Sequence, residues 1–304
     1  MTPTTLPAAR PSARLRKAEA NARPLVTIFT VLKPFVGEAD THQRNALASW
    51  QMLGPDVEIL LFSDTSIPDD LRARFTCLPC IATNEFGTPL LDDVFRVAAD
   101  IARGSVRAFV NGDIVLDQRF TQSVRRLQDS DLASWLAIGQ RTELDVPAAV
   151  QHPAAGWLDD CFQKCETQGE LASVVCKDYF IFTADLFQDL PAFAIGRGNW
   201  DNWMVAHSKS NGIPVVDITA VAPVIHQRHG YAHVSGGRGA VYVSGPEAKE
   251  NQRLAGGRHL ISGSTANWRF DKSGIRRVRW TSWTLCKDAF RFAGLLLRML
   301  MRSD

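Results

Sequence analysis

The sequence predicts an α/β fold: a mixed, mostly parallel sheet flanked by helices, in a single domain with a basic helical tail. Three observations carry this. Apolar runs of strand length alternate with amphipathic stretches of helix length. The runs are apolar on both faces, as strands are when helices cover them on each side. Residues 25–260 contain no internal repeat and no linker. The chain has 304 residues, of which 45% are hydrophobic and 22% charged. That supports one large core and excludes wholesale disorder.

Residues 1–23 hold three prolines, several alanines and no apolar period, and read as a flexible leader. Order begins at Leu25, in the buried strand Leu25–Thr30. A helix follows, with Asp40 or Thr41 as its cap and Ala46, Leu47, Trp50 and Leu53 on one face. Gly54-Pro55 stops it. Val57–Phe62 is the second strand and ends at Ser63-Asp64. A helix over Leu90–Ala102 leads to the strand Val106–Val110, which runs into Asn111-Gly112-Asp113-Ile114. A short helix near Phe120–Gln128 precedes a strand over Ser134–Ile138. In the second half, Ala155–Gly169 reads as helix, Asp178–Phe182 and Val215–Ile218 as strands. Between those strands, Gly196–Trp203 is a Gly- and Trp-rich loop entering a helix. The main domain is expected over residues 24–265.

The formal net charge is +2, unevenly distributed. Arg10, Arg14, Arg16, Lys17 and Arg23 make the leader basic. Arg276, Arg277, Arg279, Lys287, Arg291, Arg298 and Arg302 do the same for residues 276–302. The body is therefore acidic, which excludes a nucleic-acid binder with a basic stripe on its fold. Residues 276–302 also carry Trp280, Trp283 and a Leu/Met cluster. They read as an amphipathic anchor to an anionic membrane surface, or as a terminal helix packed on the domain. No apolar run reaches the roughly 20 residues of a membrane span. The N-terminus lacks a signal-peptide pattern, and a reducing cytoplasmic setting, peripheral to the membrane, fits the six cysteines. Cys77 and Cys80 have zinc-like spacing, and Cys161 and Cys165 share a helix face. Zinc knuckles normally show two short paired spacings in polar loops, so buried thiols are the preferred reading.

Asn111-Gly112-Asp113 carries the strongest chemical signal. An apolar strand ends there in an acidic turn, where open parallel sheets bind ligands. A carboxylate at that place can hold Mg²⁺ or Mn²⁺ against a diphosphate, and Gly112 allows close backbone approach. Trp200-Asp201-Asn202-Trp203 sets a carboxylate between two indoles whose flat apolar faces suit a sugar ring. Asp201 is a general base or acceptor ligand, or else a helix N-cap. Asp178 is a second catalytic carboxylate, or a contact to the bound ligand.

The strand Leu25–Phe35, Gln43-Arg44-Asn45-Ala46 with Ser49-Trp50, Phe109–Ile114, Phe193–Trp203 and His226–Tyr231 together resemble bacterial glycosyltransferases of the Rossmann-like GT-A fold. The resemblance implies a nucleotide-diphosphate sugar as donor and a glycan or lipid-linked glycan as acceptor, in surface-polysaccharide synthesis. Asn111-Gly112-Asp113 then stands where that family has its DxD motif, with Asn111 in place of the first carboxylate. Thr30, Arg44 and Asp64 become donor contacts, Arg44 through its planar fork. The resemblance also implies a late metal-ligating histidine, His226 first and His229 second. Two rival readings are a sugar nucleotidyltransferase and a non-catalytic carbohydrate-binding protein. Val31-Leu32-Lys33-Pro34-Phe35 lacks the Gly-rich signature of the former.

Overall fold

The computed structural model describes residues 23–79, 82–146, 156–174, 176–229, 244–256 and 265–278. The first strand, β1 (Val26–Val31), leads into α1 (Gly37–Gln51), then β2 (Val57–Ser63), the one-turn α2 (Asp69–Arg72) and β3 (Thr76–Pro79). Next come α3 (Leu91–Ile101), β4 (Val106–Val110), β5 (Ile114–Val115), α4 (Gln118–Gln128), β6 (Leu136–Ile138) and β7 (Arg141–Leu144). The second half holds α5 (Trp157–Gln168), β8 (Glu170–Leu171), β9 (Tyr179–Thr183), α6 (Trp200–Ser210), β10 (Val215–Asp217) and β11 (Val224–Gln227). It closes with α7 (Pro246–Leu254), β12 (Trp268–Asp271) and β13 (Gly274–Arg277).

Among the described residues nine strands form the main sheet, in the order β13-β12-β10-β6-β9-β4-β1-β2-β3. The run β3-β2-β1-β4 is parallel, as is β6-β10-β12, and β9 lies antiparallel between them. The mixed, mostly parallel sheet is as expected. Alternating side chains divide two cores. Val26, Ile28, Val106 and Ala108 pack against α1 and α4 on one face. Phe29, Phe109, Phe180 and Phe182 pack against α3 and α6 on the other.

A second sheet, β5-β11-β7-β8, begins just past the carboxyl end of β4, where β5 follows the turn. It was not anticipated, because its strands have two to four residues and mix charged with apolar side chains. Helix α5 covers it, with Leu158, Cys161, Phe162 and Cys165 against Val115, Leu144 and Ile225. Cys161 and Cys165 are buried free thiols, pushed up by that burial. Cys77 is a half-buried free thiol, and Cys80 lies outside the described residues.

Three expectations are corrected. Helix α1 starts at Gly37, after Val36 and with no side-chain cap. Asp40 sits inside it and pairs with Arg44 instead. The sheet runs past residue 265, since β12 pairs with β10 and β13 with β12. Arg276 and Arg277 therefore belong to an edge strand rather than to the tail. The leader up to residue 22 and the tail from 279 lie outside the described residues.

Candidate active site

Strand register assembles the site. On β11, His226 stands opposite Glu143 of β7 and Ile114 of β5. The antiparallel pairing of β4 with β9 ends at Val110 and Tyr179, so the next residues, Asn111 and Asp178, also meet. Asn111 N–H donates to the Asp178 carbonyl at 2.8 Å, and Asn111 Nδ2 to Asp178 Oδ1 at 2.7 Å.

From there a closed polar ring runs through six side chains. Arg141 Nη1 meets Asp178 Oδ2 at 2.5 Å, and Arg141 Nε meets Glu143 Oε1 at 2.8 Å. Glu143 Oε2 lies 2.7 Å from His226 Nδ1, and His226 Nε2 lies 3.6 Å from Asp113 Oδ2. Asp113 is two residues from Asn111, which closes the ring. His229 Nε2 reaches the same Asp113 oxygen at 3.2 Å.

Charge balance follows from these contacts. Burial pushes Asp113 up, but the hydrogen bond and charge of His226, the hydrogen bond of His229 and the charge of Lys33 hold it well below the usual carboxylate range. Burial opposes ionisation of Glu143 too, yet His226 and Arg141 bring it down to about 2. His226 is pushed up to about 9: burial works against its charge, and the two carboxylates overcome that. Arg141 is likewise raised, Asp178 and Glu143 outweighing its burial.

Asp113, His226 and His229 place three ligand atoms within 4.8 Å of one another. The other Asp113 oxygen, Oδ1, is buried and has no partner among the described residues. A buried carboxylate oxygen without a partner is costly, and a cation would satisfy it. Glu143 fixes the His226 ring through Nδ1, as carboxylates do behind metal-bound imidazoles. The residues present thus fit a divalent metal.

Helix α1 holds this corner rigid. Gln227 is fully buried; its Oε1 accepts from Asn45 Nδ2 at 2.8 Å. Its Nε2 donates to the carbonyls of His42 and Asp113, at 2.8 and 3.0 Å. Trp50 Nε1 donates to the Ile114 carbonyl, and Leu116 N–H to Ser49 Oγ. Gln43 ties down the loop after β1 through both the N–H and the carbonyl of Lys33. Asn45, Ser49 and Trp50 are thus clamps on residues 113–116.

The expected site residues fare unequally. Asp113, His226 and His229 come together. Asp64 is exposed just beyond β2, at the carboxyl edge of the parallel strands. Thr30 is sealed inside, 0% exposed, with its hydroxyl unpartnered among the described residues, so it offers a ligand no open face. Arg44 meets Asp40 at 2.7 Å and Asp70 at 2.8 Å, and two carboxylates occupy the fork expected to take phosphate. A Cβ on Gly112 would come within 3.1 Å of Leu32 Cδ2, so its close approach is to the chain's own side chain.

Trp200 and Trp203 are core residues, not an acceptor platform. Trp200 packs edge-on to Phe109, and Trp203 against Phe193 and the His207 ring. Both indoles belong to a helix buried on most of its circumference. Asp178 has both carboxylate oxygens engaged, which makes it a positioning residue for Asn111 and Arg141 rather than a base. Asp201 lies in the first turn of α6, and Asn199 takes the cap position with φ +82°. Burial raises Asp201, against the pull of Lys177. Lys177 is itself lowered by burial, against the Asp201 charge, and donates to Asn202 Oδ1 at 3.1 Å.

Arg141, Glu143 and Lys33 escaped the sequence reading. The alternation Arg141-Thr142-Glu143, directly after an apolar strand, was the available signal: two charges on one face of a strand. Lys33, on the loop after β1, is a cation whose charge reaches Asp113.

No family model and no curated protein matches the sequence. Among solved structures the chain is similar to S. aureus TarS 1-349 in complex with UDP-GlcNAc, with 14% identity, TM-score 0.47, and coverage of 78% of this chain and 66% of that one. It is similar to GalNAc-T7 with UDP, GalNAc and Mn²⁺, at 14% identity and TM-score 0.46, covering 78% of this chain and 49% of that one. It is also similar to the mannosyltransferase PcManGT from Pyrobaculum calidifontis in complex with GDP-Man and Mn²⁺, at 12% identity and TM-score 0.43, covering 79% and 63%. The chain spans less than two thirds of the length of each of these three.

Proposed function

We propose that the chain transfers a sugar from a nucleotide-diphosphate donor to an acceptor hydroxyl, with a divalent metal held by Asp113, His226 and His229. The observation that carries this is the buried, half-satisfied Asp113 carboxylate, flanked by two imidazoles, at the carboxyl end of a strand in a mostly parallel sheet. When bound, the metal would supply Lewis-acid neutralisation of the departing diphosphate.

The protein groups have separable tasks. Glu143 holds His226 Nδ1 and so presents Nε2 to the site. Lys33 adds positive charge beside the diphosphate, the part expected of Arg44. Asp64, at the sheet edge, is placed for a base or ribose contact. Asn111, held by Asp178, offers its amide oxygen to a donor hydroxyl. Asp201 takes the acceptor proton, and burial moves its affinity for a proton in the direction that task needs. A donor set of one carboxylate and two imidazoles favours Mn²⁺ over Mg²⁺, which prefers oxygen ligands. The acceptor in this reading is a glycan or lipid-linked glycan in surface-polysaccharide assembly, approached by a peripheral, cytoplasmic enzyme.

The test is a thermal-shift screen of UDP, GDP and their sugars with and without Mn²⁺, followed by nucleotide release with the best donor. A shift that needs metal and is lost in Asp113→Ala, with nucleotide release lost too and the fold retained, is the expected result. No metal-dependent shift with any nucleotide, or near-parental release by Asp113→Ala, would overturn the proposal.

A further inference from the structure

We propose that His42 is a further donor contact, its imidazole giving a hydrogen bond to the diphosphate held at Asp113, His226 and His229. The inference rests on the metal-and-diphosphate reading above and adds a residue to it. His42 lies in the second turn of α1, which begins at Gly37. Gln227 fixes it at the site. One amide nitrogen, Nε2, donates both to the His42 carbonyl at 2.8 Å and to the Asp113 carbonyl at 3.0 Å. The next residue, Gln43, holds the backbone of Lys33 through Oε1 and Nε2, at 2.6 and 3.1 Å. Two adjacent residues of one helix thus fix a ring and a cation on the Asp113 corner, where the Lys33 charge is felt.

The His42 ring is the imidazole of this corner with no task yet. Its centre lies 6.1 Å from that of His229, with the planes 38° apart. Among the described residues the ring makes no hydrogen bond or ion pair. Asp113 Oδ1 is a sealed atom without a partner; no His42 nitrogen is, so the unpaired ring nitrogens are open to solvent. The residue is 8% exposed, slightly more than His226 at 5%. Burial and His229, with His226, push the ring down, against Asp113 and Glu38, so near neutral pH it is uncharged and offers one N–H. His42 does not join the three groups whose ligand atoms lie within 4.8 Å of one another. Its reach therefore suits an oxygen that the metal binds rather than the metal itself. A phosphate oxygen is a strong acceptor for it, because hydrogen bonds to an ionised group are roughly twice as strong as neutral ones.

The experiment is calorimetric titration of the full chain and two variants, first with Mn²⁺ alone, then with pyrophosphate, UDP and GDP in the presence of Mn²⁺. His42→Phe keeps a flat ring against His229 and removes the N–H, whereas His42→Gln keeps a donor. His42→Phe is expected to weaken pyrophosphate, and whichever nucleotide binds, at least about tenfold, and His42→Gln less than about threefold. Mn²⁺ affinity and melting temperature should stay at the parent's in both. Unchanged pyrophosphate and nucleotide affinity in His42→Phe would overturn the proposal and leave the transferase reading standing. So would an equal loss in both variants, which would mark packing alone. Weaker Mn²⁺ binding without phosphate would overturn it too, by making His42 a metal ligand. A parent that binds neither pyrophosphate nor either nucleotide with Mn²⁺ would overturn both readings together.

Discussion

His226 sits between two carboxylates, and that single fact sets a pH signature. Its ordinary value of 6.5 is raised to about 9 in the folded protein. A group raised by folding stabilises the native state fully below its unfolded value and loses that contribution as pH climbs through its folded value. In chelator-treated protein the melting temperature should therefore decline between about pH 6.5 and 9, and His226→Gln should flatten the decline. Thermal melts over that range check it, and an equally steep fall in the variant would assign the slope elsewhere. Mn²⁺ affinity should run the opposite way, rising over the same window, because the metal must displace the imidazole proton. Asp201 makes a different demand at the same scale. As a base, Asp201→Asn should keep donor affinity and lose about 10²–10⁴-fold in turnover. As a part of the first helical turn alone, Asn would be nearly neutral. Steady-state kinetics at saturating donor with varied acceptor separates the two, and a raised KM with a smaller loss in turnover would mark an acceptor contact instead.

Helix α1 and strand β11 together decide whether the metal ligands stay in place. Gln227 joins them, bonding Asn45, the His42 carbonyl and the Asp113 carbonyl. Gln227→Leu keeps the bulk but strands those three buried groups, at a cost of roughly 2–4 kcal/mol. Urea unfolding should show that loss, and Mn²⁺ titration should show weaker binding in the fraction that remains folded. Lower stability with unchanged metal affinity would confine Gln227 to the core. The same elements show how far a sequence can be read. Strands such as Val106–Val110 were visible because continuous burial leaves a continuous apolar run. Asp113 was visible because an acidic turn follows an apolar strand, and His226 through the family resemblance. The second sheet was not, since two-residue strands such as β5 and β8 carry no period. With it went Arg141 and Glu143, whose partners are fixed by register between segments more than 30 residues apart. Trp200, Trp203 and Arg44 were misread for one common reason. Residue type shows what a side chain is able to bind, and tertiary packing had already supplied Phe109, Phe193 and two aspartates as partners.

At the scale of the whole molecule, charge is segregated along the chain, with an acidic body between basic ends. Among the described residues no helix is long and apolar enough to cross a membrane. A basic segment with Trp280, Trp283 and the Leu295–Met301 cluster can still bind a surface, by charge and by shallow insertion. Where to cut is a structural matter. Arg276 and Arg277 pair with Arg269 and Trp268 across β12 and β13, and Val278 N–H donates to the Asn267 carbonyl at 2.9 Å. A deletion starting at 276 would strip half of an edge strand from the main sheet and lower stability, confusing loss of fold with loss of anchoring. Deletion of residues 279–304 leaves β13 whole. It should keep the melting temperature within a few degrees of the parent and preserve activity on a soluble acceptor analogue. Binding to vesicles containing anionic lipid should drop, and the parent's binding should itself weaken between about 0.05 and 0.5 M salt as the Debye length shortens. Co-sedimentation with vesicles of graded anionic content reads both effects. Binding that survives the deletion would move the contact surface to the leader or the folded body. Binding lost from both anionic and neutral vesicles, with no salt dependence in the parent, would leave the Leu/Met cluster and not the arginines as the anchor.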